Sequence, residues 1–153
     1  MTSIPLGEWL PPLPAGLTRG LSAVGGLQPG DASRFVNAWP SPSAVAICYE
    51  ISDGRALAKA TAQGAEWLLT IANLDPYPQL LQRQFLALAQ LRAIETGRDV
   101  LSVANTGPTA LVSADGTVQR LLKPRTDAVA AAELQRRQQL TGYSRLVWAW
   151  SSR

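Results

Sequence analysis

The stretch SAVAICYEISD, residues 43–53, decides how the rest of the chain is interpreted. Its apolar part, residues 44–49, shows no polar alternation, which predicts a short strand covered on both faces. The strand delivers Cys48, the single cysteine of the chain, to a turn, and Glu50 follows two residues later. In α/β folds the chemistry lies at the carboxyl ends of strands, but cysteine is more often buried and inert. On its residue type alone, Cys48 fits either role.

The residues after this strand predict an α/β domain. Asp53 is placed to cap a helix, and Gly64 and Gly97 are placed to end helices. A strand, a helix of about ten residues and a second strand form the parallel crossover unit. The predicted elements are a helix at 54–63, a strand at 66–73, a helix at 79–96, a strand at 99–104 and a hairpin formed by 109–113 and 117–122.

The two ends of the chain are less regular. Prolines and glycines concentrate in residues 5–42, which predicts a long ordered loop with one short helix near 17–24. Residues 127–140 are rich in alanine, glutamine and arginine, which favours a helix, although an edge strand is the alternative. The last residues, 141–153, are aromatic and are expected to be exposed.

Composition limits the classes of protein that this chain can represent. Its 153 residues, 46% of them hydrophobic, are enough for about one packed domain. The net charge of +3 is not gathered into a basic run beside aromatic residues, which argues against nucleic-acid binding. One cysteine allows no internal disulfide. Without a signal peptide or an apolar run of about 18 residues, the chain as written is predicted to be cytoplasmic.

The absence of histidine restricts the chemistry further. It excludes Ser-His-Asp and Cys-His catalysis and every histidine metal site, and we find no metal-ligand spacing or phosphate-binding loop, so no metal or cofactor is predicted. A nucleophilic Cys48 would need a carboxylate or an amine to take its proton. Glu50 and Glu8 are the candidate carboxylates. The alternative for both is a structural carboxylate satisfied by backbone donors or an arginine.

Two other polar positions have structural interpretations. Arg92 and Glu95 lie one turn apart on the predicted helix 79–96, which favours an ion pair. Asn105 begins an Asn-Thr-Gly segment and is interpreted as a turn former.

Five motifs occur together in an order that resembles a known family, the apolipoprotein N-acyltransferases, in a form like the cyanobacterial ones. The resemblance is to the carboxyl-terminal part of their nitrilase-like, or carbon-nitrogen hydrolase, domain and covers nearly the whole chain. The motifs are IPLGEWLP at 4–11, AICYEI at 46–51, LLTIAN at 68–73, LAQLRAIETGR at 88–98 and VANTG at 103–107.

This resemblance implies an αββα sandwich in which Cys48 accepts an acyl group from a membrane phospholipid. The group then passes to the α-amino group of a diacylglyceryl-cysteine on a lipoprotein. Glu8 matches the family's supporting active-site glutamate, and Glu50 matches the acidic residue that helps hold the site. The family is expected in the inner membrane with this domain facing the periplasm. The resemblance also favours a strand over a helix at residues 127–134.

The chain departs from the family pattern in ways that bear on activity. The family's general-base glutamate lies upstream of the residues present here, and its catalytic lysine falls about one position before Met1. Lys59 and Lys123, the two lysines of the chain, lie in other motifs. The family's membrane helices and the tryptophan usual in the loop after Asn73 are absent.

We therefore predict that residues 1–153 form a single nitrilase-like domain without its amino-terminal part, inactive alone. One alternative is a non-catalytic module that associates with a partner, or with itself, through an uncovered sheet edge. The second alternative is that the chain is a small amidase of the nitrilase superfamily.

Overall fold

The computed structural model describes residues 34–38 and 41–151, which form one six-stranded sheet with α-helices and a short 3₁₀ turn. The predicted site residue Glu8 and the predicted helix near 17–24 lie outside the described residues. In chain order the elements are β1 Phe35–Val36, β2 Ser43–Ile47, the 3₁₀ turn Cys48–Ser52, α1 Gly54–Ala62, β3 Trp67–Ala72, α2 Gln79–Thr96, β4 Val100–Ala104, β5 Thr109–Val112, β6 Val118–Leu122 and α3 Gly142–Ser151.

The sheet follows the chain order from β1 to β6, with a parallel centre and antiparallel margins. Strands β2, β3 and β4 run parallel, with Ile47 opposite Ile71 and Ala72 opposite Ala104. Strands β1, β5 and β6 join antiparallel to their neighbours. The two parallel crossovers contain α1 and α2, as the alternation of strand and helix in the sequence predicts. The mixed α/β fold is therefore confirmed.

Local signals fix the ends of both crossover helices. The Asp53 carboxylate accepts the Ala56 N–H at 3.0 Å and caps α1, as predicted. Gly97 ends α2 in the left-handed region at a φ of 64°, and its N–H donates to the Ala93 carbonyl. These caps set the lengths of α1 and α2 and return the chain to the sheet.

The core lies between the sheet and the helices and is built largely from small side chains. Alanines at positions 44, 46, 60, 89 and 93 pack there with Ile51, Leu57, Leu68, Val100 and Val112. The other face is more open toward the carboxyl ends of the strands, where Ile47 is 60% exposed and Ile71 is 46% exposed. The expectation that the first strand is covered on both faces is therefore wrong at its end. That strand also stops at Ile47, because the chain turns at Cys48.

Residues 126–141 form neither the helix nor the strand predicted within them. Their backbone groups bond to other parts of the molecule: the Gln135 N–H donates to an Asp99 carboxylate oxygen at 2.8 Å, and the Gln139 carbonyl accepts from Arg98 at 2.7 Å. Arg98 is almost fully buried. Side chains directly before β4 thus hold this segment in an irregular path.

The chain then enters α3, which the sequence analysis did not predict. Trp148 and Trp150 on α3 are exposed, as expected for the aromatic end of the chain. Among the described residues, no helix combines the length and the apolar character needed to cross a bilayer.

Candidate active site at the carboxyl edge of the sheet

Cys48 lies at a sharp turn where β2 ends. Its φ is +54°, in the left-handed region, and it begins the 3₁₀ turn that leads into α1. This conformation raises the conformational free energy of a non-glycine residue by roughly 1–2 kcal/mol, so neighbouring contacts must hold Cys48 in it. The thiol is free and partly exposed. The turn therefore presents a reactive type of side chain at the edge where α/β folds place their sites.

Glu50 folds back over this turn. Its Oε2 accepts the Ile47 N–H at 2.8 Å, and its Oε1 lies 2.5 Å from Nη1 of Arg34. Both side chains of this ion pair are largely buried, at 6% exposure for Arg34 and 13% for Glu50. With a partner on each oxygen, the Glu50 carboxylate is arranged to hold the backbone on either side of Cys48.

Arg34 contacts the same strand through its backbone. Its carbonyl accepts the Val45 N–H at 2.8 Å, which ties the segment before β1 to β2. Sequence reasoning did not single out Arg34, because it stands in the Pro/Gly-rich stretch far from Cys48 along the chain. The available signal was a charged residue placed directly before the apolar pair Phe35–Val36.

Two asparagines follow the next two parallel strands and join their loops. Asn105 Oδ1 accepts the N–H groups of Leu74 and Thr106, both at 2.9 Å. Asn105 Nδ2 donates to Asn73 Oδ1 at 2.7 Å, and that oxygen also accepts the Asp75 N–H. The predicted turn role of Asn105 is thus one part of a wider function, which is to connect the ends of β3 and β4 beside the thiol.

The two lysines lie away from this edge. Lys123 follows β6, four strands from β2, which at about 4.8 Å per strand corresponds to about 19 Å across the sheet. Lys59 is exposed in the last turn of α1. Neither lysine therefore lies at the edge of the sheet that carries Cys48.

One further polar prediction, the ion pair within α2, is confirmed. Arg92 and Glu95 form the predicted ion pair, at 3.1 Å, with the arginine buried. Within residues 34–38 and 41–151, no three side chains of the metal-ligating types are grouped to hold an ion.

Residues 11–141 match the carbon-nitrogen hydrolase family. The chain is 97% identical over 150 residues to an apolipoprotein N-acyltransferase of Parasynechococcus marenigrum, a match that covers 98% of this chain and 32% of that protein. It is 66% identical over 143 residues to an apolipoprotein N-acyltransferase of Prochlorococcus marinus strain MIT 9313, covering 93% of this chain and 28% of that one. The chain thus spans about a third of the length of these curated relatives.

The fold has a counterpart among solved structures. Saccharomyces cerevisiae Nit3, a member of branch 10 of the nitrilase superfamily, superposes with a TM-score of 0.52 at 17% sequence identity, over 60% of this chain and 37% of Nit3. The predicted resemblance to apolipoprotein N-acyltransferases and the nitrilase-like character of the fold are both confirmed.

Proposed function

The chain belongs to the carbon-nitrogen hydrolase family, and from this membership we propose that it is part of an apolipoprotein N-acyltransferase in which Cys48 is the acyl-accepting nucleophile. The observation that carries the proposal is the turn at Cys48. A single, partly exposed thiol stands at the end of a central parallel strand, held in the left-handed region. The high identity to two apolipoprotein N-acyltransferases supports this choice of reaction.

The proposed reaction has two steps with one covalent intermediate. The Cys48 thiolate attacks an ester carbonyl of a phospholipid, the ester C–O bond breaks, and lysophospholipid leaves after its alkoxide takes a proton. The α-amino group of a diacylglyceryl-cysteine on a lipoprotein then attacks the thioester carbonyl. The C–S bond breaks, an amide forms, and the amine proton leaves through a general base. The thiolate is regenerated for the next cycle.

Glu50 and Glu8 have different proposed roles. Glu50 supports the turn through Ile47 and Arg34 rather than carrying the proton, because both its oxygens are occupied. Glu8 is proposed as the supporting active-site carboxylate because the motif around it, IPLGEWLP at 4–11, resembles that of the family. The general-base glutamate and the lysine that stabilises the oxyanion would come from outside the 153 residues, and the site would face the periplasm. The chain alone is therefore expected to be inactive.

A chimera tests this function directly. The matching segment of the Parasynechococcus marenigrum relative is replaced by this chain, and the chimera is incubated with phospholipid and a diacylglyceryl lipopeptide. We expect N-acylated lipopeptide and, when the acceptor is omitted, a thioester on Cys48 that intact-protein mass spectrometry detects. Cys48→Ala should abolish both products. Acyl transfer that persists in the Cys48→Ala chimera would overturn the proposal.

A second candidate function rests on a different observation. The exposed Ile47 and Ile71 lie side by side in neighbouring parallel strands on the open face of the sheet. An apolar sheet face of this kind favours a non-catalytic module that packs against a partner. If the chain is such a module, the Cys48→Ala chimera would keep its activity. Substitution of Ile47 or Ile71 by a charged residue would instead disrupt packing against the partner.

A further inference from the structure

We propose that Arg34 is a positioning residue for Cys48 and acts through Glu50. This inference rests on the proposed function, because it assigns to Arg34 the task of holding the nucleophile in its working geometry. It adds a residue that the sequence motifs around Cys48 do not contain.

A chain of contacts leads from Arg34 to the turn at Cys48. The guanidinium pairs with Glu50 Oε1, and Glu50 Oε2 accepts the N–H of Ile47, the residue directly before Cys48. The Glu50 carbonyl also accepts the Asp53 N–H at 3.1 Å, at the end of the 3₁₀ turn. Glu50 thus holds both ends of the turn, and Arg34 fixes the rotamer of Glu50.

The charge of Arg34 also keeps Glu50 in place. Glu50 is only 13% exposed, and a carboxylate removed from water needs a partner to remain ionised at low cost. Arg34, itself 6% exposed, supplies that partner. Without Arg34, the Glu50 carboxylate would have a lower free energy when rotated toward water. That rotation would leave the Ile47 N–H without its acceptor. The strained conformation of Cys48 would then lose one of the contacts that hold it.

Arg34 also contacts β2 through its backbone. Its carbonyl accepts the Val45 N–H, so the backbone and side chain of one residue contact the strand before the nucleophile and the turn after it. Arg92 and Glu95 form a comparable buried pair, but its partners lie three residues apart within α2. Arg34 and Glu50 instead connect two separate segments around Cys48.

Amide hydrogen exchange of the isolated chain tests the inference without requiring acyl transfer. The variants are Arg34→Met, which keeps an apolar stem, Arg34→Lys, which keeps the charge, and Glu50→Ala, which removes the acceptor. Arg98→Met is the matched control, because Arg98 is an equally buried arginine at the opposite, amino-terminal edge of the parallel strands. The readout is exchange at Ile47 relative to Ser102 in β4, measured by NMR.

We expect Arg34→Met and Glu50→Ala each to speed Ile47 exchange about tenfold or more, with Ser102 little changed. Arg34→Lys should restore exchange to within about threefold of the parent chain. The double variant Arg34→Met/Glu50→Ala should be no faster than Glu50→Ala, because both changes act on one contact. Wild-type exchange at Ile47 in Arg34→Met, or additive effects in the double variant, would overturn the inference.

Two further measurements keep the test decisive. If Arg34→Met does not fold, Arg34→Gln takes its place: it keeps a polar side chain at this buried position but is shorter and uncharged, so the ion pair with Glu50 is lost. Ile47 exchange equal to that of the parent chain would then refute the positioning role. In the acyl-transfer chimera, Arg34→Met should reduce turnover by up to about a hundredfold, and Arg34→Lys should recover most of it. If Arg34→Met speeds exchange at Ile47 but leaves turnover unchanged, Arg34 does not position the nucleophile. An inactive parent chimera would instead count against the proposed function alone.

Discussion

At the scale of single residues, Gly54 shows how tightly the molecule is packed behind the site. Gly54 begins α1, directly after the Asp53 cap. A Cβ placed there would lie 1.6 Å from Nη1 of Arg92 and 2.8 Å from a carboxylate oxygen of Glu95. The buried ion pair therefore occupies the space that any larger residue would need.

Gly54→Ala is expected to destabilise the fold by roughly 2–3 kcal/mol, although alanine is the better helix former. The displaced guanidinium would have to leave its buried site. Gly142→Ala is the matched control, because Gly142 begins α3 and its Cβ would meet nothing within 4 Å. Urea denaturation measures both variants. Equal stability of the two would contradict the packing described for Gly54.

Asp115 gives a residue-scale prediction that depends on pH. Its carboxylate accepts the Thr117 N–H at 2.9 Å in the β5–β6 turn, and this bond holds the pKa of Asp115 below its ordinary value. Since the folded pKa is the lower one, the stabilisation is fully present above the unfolded pKa of about 3.9 and is lost as pH falls through the folded pKa. NMR titration of the side-chain carboxyl carbon should show a midpoint below about 3.9. A midpoint at or above that value would exclude the bond.

At the scale of elements, the loops after β3 and β4 behave as one unit because asparagine side chains join them. Gln82 on α2 adds to this unit, since its amide donates to the carbonyls of Leu74 and Tyr77 at 3.1 and 2.9 Å. The loop that follows β3 is thus anchored from both sides next to the proposed nucleophile.

Asn105→Ala should leave the Leu74 and Thr106 amides without their acceptor. We expect it to lower the free energy of unfolding by about 1–2 kcal/mol. Asn105→Asp is the matched control, because it retains an oxygen for both amides and loses only the bond to Asn73. Hydrogen exchange at Leu74 should rise in the alanine variant much more than in the aspartate variant. Indistinguishable exchange in the two variants would mean that Asn105 Oδ1 does not hold the loop.

The irregular segment 126–141 is held by Asp99, whose two carboxylate oxygens accept the N–H groups of Gln135 and Ala114. Arg137 also lies 3.7 Å from this carboxylate. Asp99→Ala should free the segment and increase its cleavage in limited proteolysis by several-fold. Asp127→Ala, an exposed change in the same segment, should leave the cleavage rate unchanged. Equal cleavage of the two variants would show that Asp99 does not anchor the segment.

At the scale of the whole molecule, the two faces of the sheet differ. The helix-covered face holds the core, whereas Ile47, Ile71 and Val103 lie side by side in register on the opposite face. Ile47 and Ile71 are exposed and Val103 is half-buried, and an apolar row that is partly open to solvent favours association. The chain is therefore expected to self-associate at micromolar concentration through this face.

Sedimentation velocity tests that expectation. Ile71→Lys should shift the chain toward monomer, because it places a charge in the middle of the row. Leu80→Lys, which changes an exposed leucine on α2, is the control and should have little effect. A parent chain that sediments as a single monomer, or an equal effect of both lysines, would argue against association through the sheet face.

The sequence alone determined the order and type of most elements, because caps, glycine stops and apolar runs act within a few residues. The bounds of α2 were predicted as residues 79–96, and the structure has the same ones. The motif order likewise indicated the family to which the chain belongs. Local pattern was also enough to place Cys48 at the end of a strand.

Only the tertiary structure decided what surrounds that thiol. Arg34 reaches Glu50 from a segment distant in sequence, and Asn105 joins loops separated by all of α2. The path of residues 126–141 depends on Asp99 and Arg98 in the same way. These contacts connect residues far apart in the chain, where periodicity and propensity carry no information. For that reason the sequence located the proposed nucleophile, while the fold determined which residues hold its turn.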